Sequence, residues 1–158
     1  CSLMRHPSLV PLSHDHHLGL ALALRCRKQA LGQIKPIGAA GLRQRAEEVL
    51  AFYRSNLVAH FRAEEEVLFP LLRSIAPQSE GLITELAREH KRIHQAVAQL
   101  KIGDGLAKLI FDLGDLLERH IRREERELFA LFERNVTAAQ AESTGAELKR
   151  ILESKHEN

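Results

Sequence analysis

The amino-acid sequence predicts an all-α protein, an up-down-up-down four-helix bundle with a short additional C-terminal helix. Three observations carry that fold class. Apolar residues recur at three- and four-residue spacing through four long stretches, the signature of helices with one buried face. Leu and Ala dominate an apolar fraction of 44% while aromatics supply only 4%, a balance that suits helices better than strands. Short Gly- and Pro-containing segments separate the stretches, and short connections make consecutive helices antiparallel neighbours. A chain of 158 residues is expected to form one domain, its bundle core covering about residues 13–133.

Taken in order, residues 1–12 read as an irregular lead because Pro7 and Pro11 interrupt it. Ser13 is a candidate N-cap, with Asp15 in the first turn, where the helix dipole favours a negative charge. The first helix then runs from about His14 to Leu31, and the segment Gly32 to Gly41 connects it to the second. That second helix spans about Leu42 to Arg73, roughly 45 Å at 1.5 Å per residue, and Pro70 is expected to kink or end it. The third runs from about Ser79 or Gly81 to Leu100, with Leu82, Ile83, Leu86, Ile93 and Val97 on its apolar side. Gly103-Asp104-Gly105 forms a tight connector before the fourth helix, about Leu106 to Arg134. A last segment, Thr137 to Glu153, predicts a short fifth helix interrupted at Ser143-Thr144-Gly145.

Composition also excludes functions. A formal charge of +2 is too mild for a nucleic-acid partner, and the cluster Arg119, Arg122, Arg123 and Arg126 is interleaved with Glu118, Glu124, Glu125 and Glu127 as on a solvated helix face. The longest apolar run, Leu18 to Leu24, is far shorter than the ~20 residues a membrane span needs, so no membrane partner is expected. No secretion signal is visible at the start, and the two cysteines, Cys1 and Cys26, make neither a metal motif nor a disulfide framework; a reducing cytoplasm fits best. No feature identifies a protein partner.

The chemistry concentrates in a repeat. His60-Phe61-Arg62-Ala63-Glu64-Glu65 in the second helix recurs as His120-Ile121-Arg122-Arg123-Glu124-Glu125 in the fourth. Residues four apart on a helix lie one above the other, so each copy aims an imidazole and a carboxylate in one direction. Both pairs fall where the helical period calls for an apolar residue. Buried carboxylates require a counter-charge, and no Lys or Arg lies nearby on either stripe, which leaves a metal. Iron, manganese and zinc all accept imidazole and carboxylate donors.

The third helix adds His90 and His94, again four apart on the apolar side, and the first adds His16 or its neighbour His17, both at the edge of the stripe, with His16 preferred. The candidate metal ligands are therefore His16, His60, Glu64, His90, His94, His120 and Glu124. Seven donors exceed what one ion takes and suit two ions bridged by Glu64 and Glu124. Two divalent ions against two carboxylates leave the centre positive until an oxide, hydroxide or other anion joins it. Tyr53 and Asn56, on the same face before His60, are read as pocket groups, Tyr53 equally as plain core, whereas His6 and His14 are expected to face solvent. Structural zinc sites are rich in cysteine, which this chain lacks. The doubled Glu-x2-His of ferritin-like bundles does not occur either.

A histidine, then His-x3-Glu, a histidine, and His-x3-Glu again in four successive helices resembles the hemerythrin-like (HHE cation-binding) family, from about residue 13 to 133. The resemblance implies a four-helix bundle with a non-haem di-iron centre, two iron ions carrying an oxo or hydroxo bridge, with zinc or manganese as substitutes. His60 and Glu64 match the second-helix motif, His120 and Glu124 the fourth, His90 the third-helix histidine that follows a Glu, and His16 the first-helix histidine that follows an Asp. The pair His90 and His94 resembles the paired histidines of the oxygen-carrying members. Those carriers place an aspartate five residues after the fourth-helix histidine; here Glu124 stands at four and Glu125 at five, so either is a candidate bridge. By the resemblance the partner is a small diatomic ligand, dioxygen or nitric oxide, which the centre binds or senses. Turnover of peroxide or nitric oxide, repair of iron centres, and iron storage or iron-responsive interaction are the alternatives.

Overall fold

A computed structural model describes residues 5–154, and every regular element among them is helical, with no strand. Cys1 lies outside the described residues. Helix α1 is Val10–Ala30, α2 covers residues 39–75, α3 is Glu80–Ile102, α4 covers residues 106–135 and α5 is Ala138–Ser154. Short 3-10 turns, Pro7–Leu9 and Pro77–Ser79, lead into α1 and α3.

From Pro7 onward the expected irregular lead is instead helical. Each proline sits in the first turn of a helical segment, where its missing N–H has no intrahelical partner to lose and its fixed φ suits the helix. Ser13 is not the cap of α1; its hydroxyl donates to Glu125 at 2.9 Å. His6 is also drawn in, its Nδ1 accepting the Ser8 N–H and its ring standing edge-on to Phe132 at 5.8 Å, while His14 faces solvent as expected.

Helices α2 and α4 are not uniform α-helix. The stretches Tyr53–Leu57 and Glu64–Leu68 in α2, and Glu124–Leu128 in α4, are π-helical. In the second of these the Phe69 N–H reaches back to the Glu64 carbonyl, one residue further than in an α-helix. Pro70 follows immediately, where the ladder is already shifted and its missing N–H is absorbed, so α2 continues to Ile75 rather than ending there. Phe129 reaches Glu124 in the same way, with Ala130 in place of the proline, so the wide turn does not depend on proline.

The core divides into two apolar clusters. One gathers Leu9 of the Pro7–Leu9 turn, Leu12 of α1, Leu68, Phe69 and Leu72 of α2, Ile83 and Leu86 of α3, and Leu128, Phe129 and Phe132 of α4. The other gathers Leu22, Ala23 and Cys26 of α1, Val49, Leu50 and Leu57 of α2, Ile93 and Val97 of α3, and Ile110, Leu113 and Leu117 of α4. Between them, in sequence along the four long helices, lie the buried Asp15 and His16, His60 and Glu64, His90, and His120 and Glu124.

Helix α5 packs across the middle of α2 and against the Pro7–Leu9 turn. It is continuous through Ser143-Thr144-Gly145. Thr144 is buried, and a Cβ at Gly145 would stand 3.1 Å from the Ser8 hydroxyl, so the small residues mark close packing and not a break.

The most extensive helix pairing joins α1 to the first half of α4, and Gly114 lets them approach. A Cβ there would lie 2.9 Å from the Ala23 carbonyl oxygen and 3.1 Å from the Cys26 Cβ. Gly114→Ala is expected to destabilise the fold by about 1–3 kcal/mol through overpacking. A chemical-denaturation midpoint that does not move would show that these helices part without penalty.

Candidate metal centre

Four imidazoles and two carboxylates converge between the apolar clusters. His16 comes from α1, His60 and Glu64 from α2, His90 from α3, and His120 and Glu124 from α4; all six are at most 3% exposed. Their donor atoms form two groups, His16-His60-Glu64-Glu124 and Glu64-His90-His120-Glu124, in each of which the atoms lie within 4.8 Å of one another. Both groups contain both glutamates.

In the first group His16 Nε2 is 2.8 Å from Glu124 Oε1 and 3.1 Å from His60 Nε2, which in turn is 3.3 Å from Glu64 Oε2. In the second, His90 Nε2 is 3.0 Å from Glu64 Oε1 and His120 Nε2 is 3.5 Å from Glu124 Oε2. These contacts are close but mostly misaligned for hydrogen bonding. Both Glu64 oxygens, Glu124 Oε2 and the Nε2 atoms of His90 and His120 are buried with no hydrogen-bond partner among the described residues. Orphaned lone pairs facing one another in an apolar interior are costly unless a cation collects them, so the donor set fits metal ions.

Every imidazole is also held from behind. His60 Nδ1 meets Asp15 Oδ2 at 3.1 Å, His90 Nδ1 meets Glu65 Oε2 at 2.6 Å, His120 Nδ1 meets Glu89 Oε1 at 2.7 Å, and His16 Nδ1 meets Glu125 Oε1 at 3.2 Å. An ionised carboxylate only accepts, so Nδ1 carries the proton and a neutral ring presents its Nε2 lone pair inward. Asn56 continues one chain outward, donating to Asp15 at 3.0 Å. Phe129 stacks on His16 at 5.3 Å, and His90 lies between Phe61 at 4.0 Å and Phe69 at 5.6 Å, closing ring faces to water.

The wide turns explain how adjacent glutamates serve different helices. The π-helical stretches Glu64–Leu68 and Glu124–Leu128 each begin at the first glutamate, which turns into the centre; the second, Glu65 or Glu125, reaches the histidine of α3 or α1. Asp15-His16 and Glu89-His90 do the converse, each acid gripping the histidine of α2 or α4. The two halves of the chain thus repeat one pattern of donors and supports.

Sequence reasoning named all six converging residues. His16, not His17, points inward, since His17 is exposed. Glu124 stands in the centre and Glu125 behind His16. His94 is not brought into either group: it is half-buried, and its Nδ1 lies 2.5 Å from the Tyr53 hydroxyl. The supporting acids Asp15, Glu65, Glu89 and Glu125 were missed as a set, although each is a sequence neighbour of an inward histidine or glutamate. They also raise the carboxylates from two to six, so the expectation of a net-positive centre with two ions does not follow.

Electrostatics reflect this crowding. Burial would lower His60, but the Glu64 charge and the pull of Asp15 hold it well above its ordinary value. Burial likewise opposes His90, yet Glu64 and Glu65 bring it up to about 9, and Glu124 and Glu125 raise His16. For Glu124, burial is outweighed by the charge of His120 and the approach of His16, which hold the carboxyl well below the usual range. Glu65 is lowered, chiefly by His90. Removing Glu65 tests the supporting role with little harm to packing, because its side chain is 47% exposed. Glu65→Ala is expected to weaken metal affinity about 10-fold, the low end for such outer partners, by competition with a chromophoric chelator; equal affinity would show that His90 needs no support.

With the geometry in hand, comparison with known proteins is decisive on family. The model of the hemerythrin HHE cation binding domain matches residues 8–153. The chain belongs to that family. A DNA nickase from Nostoc sp. strain PCC 7120 is similar, 34% identical over 110 residues that cover 67% of this chain and 31% of that protein. No solved structure matches. No described helix is long and apolar enough to cross a membrane.

Proposed function

We propose that this HHE-domain chain holds two iron ions in the buried centre and binds or senses a small diatomic ligand, dioxygen or nitric oxide, there. One observation carries the reading: two four-donor groups, from all four long helices, share both Glu64 and Glu124. Two ions would together engage all six inward side chains, with Glu64 and Glu124 available to both. His16 and His60 would hold one ion, His90 and His120 the other. Imidazole and carboxylate donors suit iron, with manganese and zinc as substitutes. Four protein donors around each ion would leave room for an added ligand, and a redox-active metal pair would supply electron exchange to it.

The chain's own residues determine what reaches the centre. Asp15, Glu65, Glu89 and Glu125 fix the ring tautomers, and Phe61, Phe69 and Phe129 cover the ring faces. With Glu64 and Glu124 fully buried, a polymeric substrate has no approach to the donors. The partition of the apolar clusters between opposite halves of successive helices supports an up-down-up-down order of the long helices. Buried Cys26, a free thiol, supports a reducing cytoplasm.

Metal analysis of protein produced with iron, followed by near-ultraviolet spectra in air and after degassing, tests the proposal. About two iron ions per chain and bands that reverse on degassing are the expected result. Steady consumption of peroxide would move the assignment to an enzyme. The relative's name raises strand nicking, for which the burial of the centre gives no access; nicking of supercoiled plasmid abolished by Glu64→Ala would overturn the ligand-binding reading.

A further inference from the structure

The apolar cluster beyond the centre is not completely filled. A small cavity lies among Leu22, Leu57, Ile93, Val97, Leu113 and Leu117, and its lining exposes no polar atom. About 10 Å³ of it is open to the centre of a water-sized sphere, room for one small molecule. Water entering there finds no hydrogen-bond partner, whereas an uncharged diatomic gas loses nothing by leaving solvent. Cys26 also lines the space, but burial pushes its thiol up to about 12, so the wall stays neutral.

The cavity is next to the centre along three helices. Leu57 precedes His60 by three residues, Leu117 precedes His120 by three, and Ile93 follows His90 by three. Residues three apart share a helix face, so each wall residue stands one turn from an inward imidazole.

We propose that this cavity is a binding site for one uncharged diatomic gas, a station from which such a ligand passes to the metal centre. The cavity site stands on geometry alone; its part in delivery rests on the function proposed above.

Xenon separates the two, since it fills dry cavities and ligates nothing. Crystals of the chain under xenon pressure are expected to show one xenon atom between Leu22, Ile93 and Leu113. Val97→Phe, which fills the space, should cut its occupancy about tenfold, and Leu113→Ala, which enlarges it, should raise occupancy and serves if the Phe variant does not fold. No xenon at this position, or occupancy unchanged in both variants, overturns the site whatever the metal content. In iron-loaded protein, Val97→Phe should slow the spectral response to dioxygen at unchanged iron content; an unchanged rate overturns the delivery role and leaves the metal reading intact.

Discussion

The Glu64→Ala, Glu124→Ala double variant is expected to retain almost no iron, against about two ions per chain in the parent, as read by metal analysis after gel filtration. The reason is the shared placement of the two carboxylates, each a member of both donor groups. Single variants sharpen the test. Glu64→Ala alone removes a donor from both groups and should lower both occupancies together. His16→Ala touches only the group formed with His60, so about one ion per chain should remain with His90 and His120. Equal loss in the histidine and glutamate variants would mean that the groups do not form two separate sites bridged by carboxylates. Circular dichroism guards against the trivial outcome, because the apolar clusters on either side of the centre contain none of these three residues. Iron retained in full by a folded double variant would remove the centre from this part of the molecule.

How this site was legible in the sequence follows from helical geometry. His60 with Glu64 and His120 with Glu124 are four apart, so a one-dimensional reading finds them stacked, and their place in apolar stripes announces burial. His90 and His94 satisfy the same rule, yet only His90 turns into the centre. The stripe of α3 is wide enough to include a half-buried edge, and there His94 meets Tyr53 instead. The spacing could not reveal the π-helical turns, which depend on the ladder slipping by one residue at Glu64 and Glu124. Those slips, in turn, decide that Glu124 faces in and Glu125 faces His16. Adjacent residues point in different directions on a helix, so the role of an acid beside a histidine appears only when the neighbouring helix is in place. Pro7 and Pro11 misled for a related reason: proline breaks a helix interior but begins one comfortably, and the sequence alone does not distinguish the two positions.

Removing the metal is expected to lower the melting temperature by roughly 10 °C at neutral pH, because saturation near 1,000 times the dissociation constant stabilises the native state by about 4 kcal/mol and a domain of this size shifts about 2–4 °C per kcal/mol. The pH dependence of that gap gives the stronger test. In the metal-free chain His90, His60 and His16 titrate above their ordinary value of 6.5. A group whose native pKa is raised contributes stability fully below its unfolded value and loses it as pH climbs through the native one. The contribution of His90 therefore fades between about 6.5 and about 9. Glu124 has the opposite sign: its native pKa lies below the ordinary 4.5, so its contribution is present above that value and fades as acid is added. The metal-free protein should thus melt highest between those limits, near pH 4.5–6.5, and lower at pH 9. Metal ions require the same imidazoles without their inward protons, so binding releases protons and tightens over the window in which the metal-free fold weakens. The difference in melting temperature between loaded and chelated protein should widen steadily from pH 6.5 to 9, measured in one set of scans at fixed metal and salt. A gap that stays constant across that range would mean that the buried imidazoles do not exchange protons for metal, and would separate the ionisation of this cluster from whatever ion the chain carries.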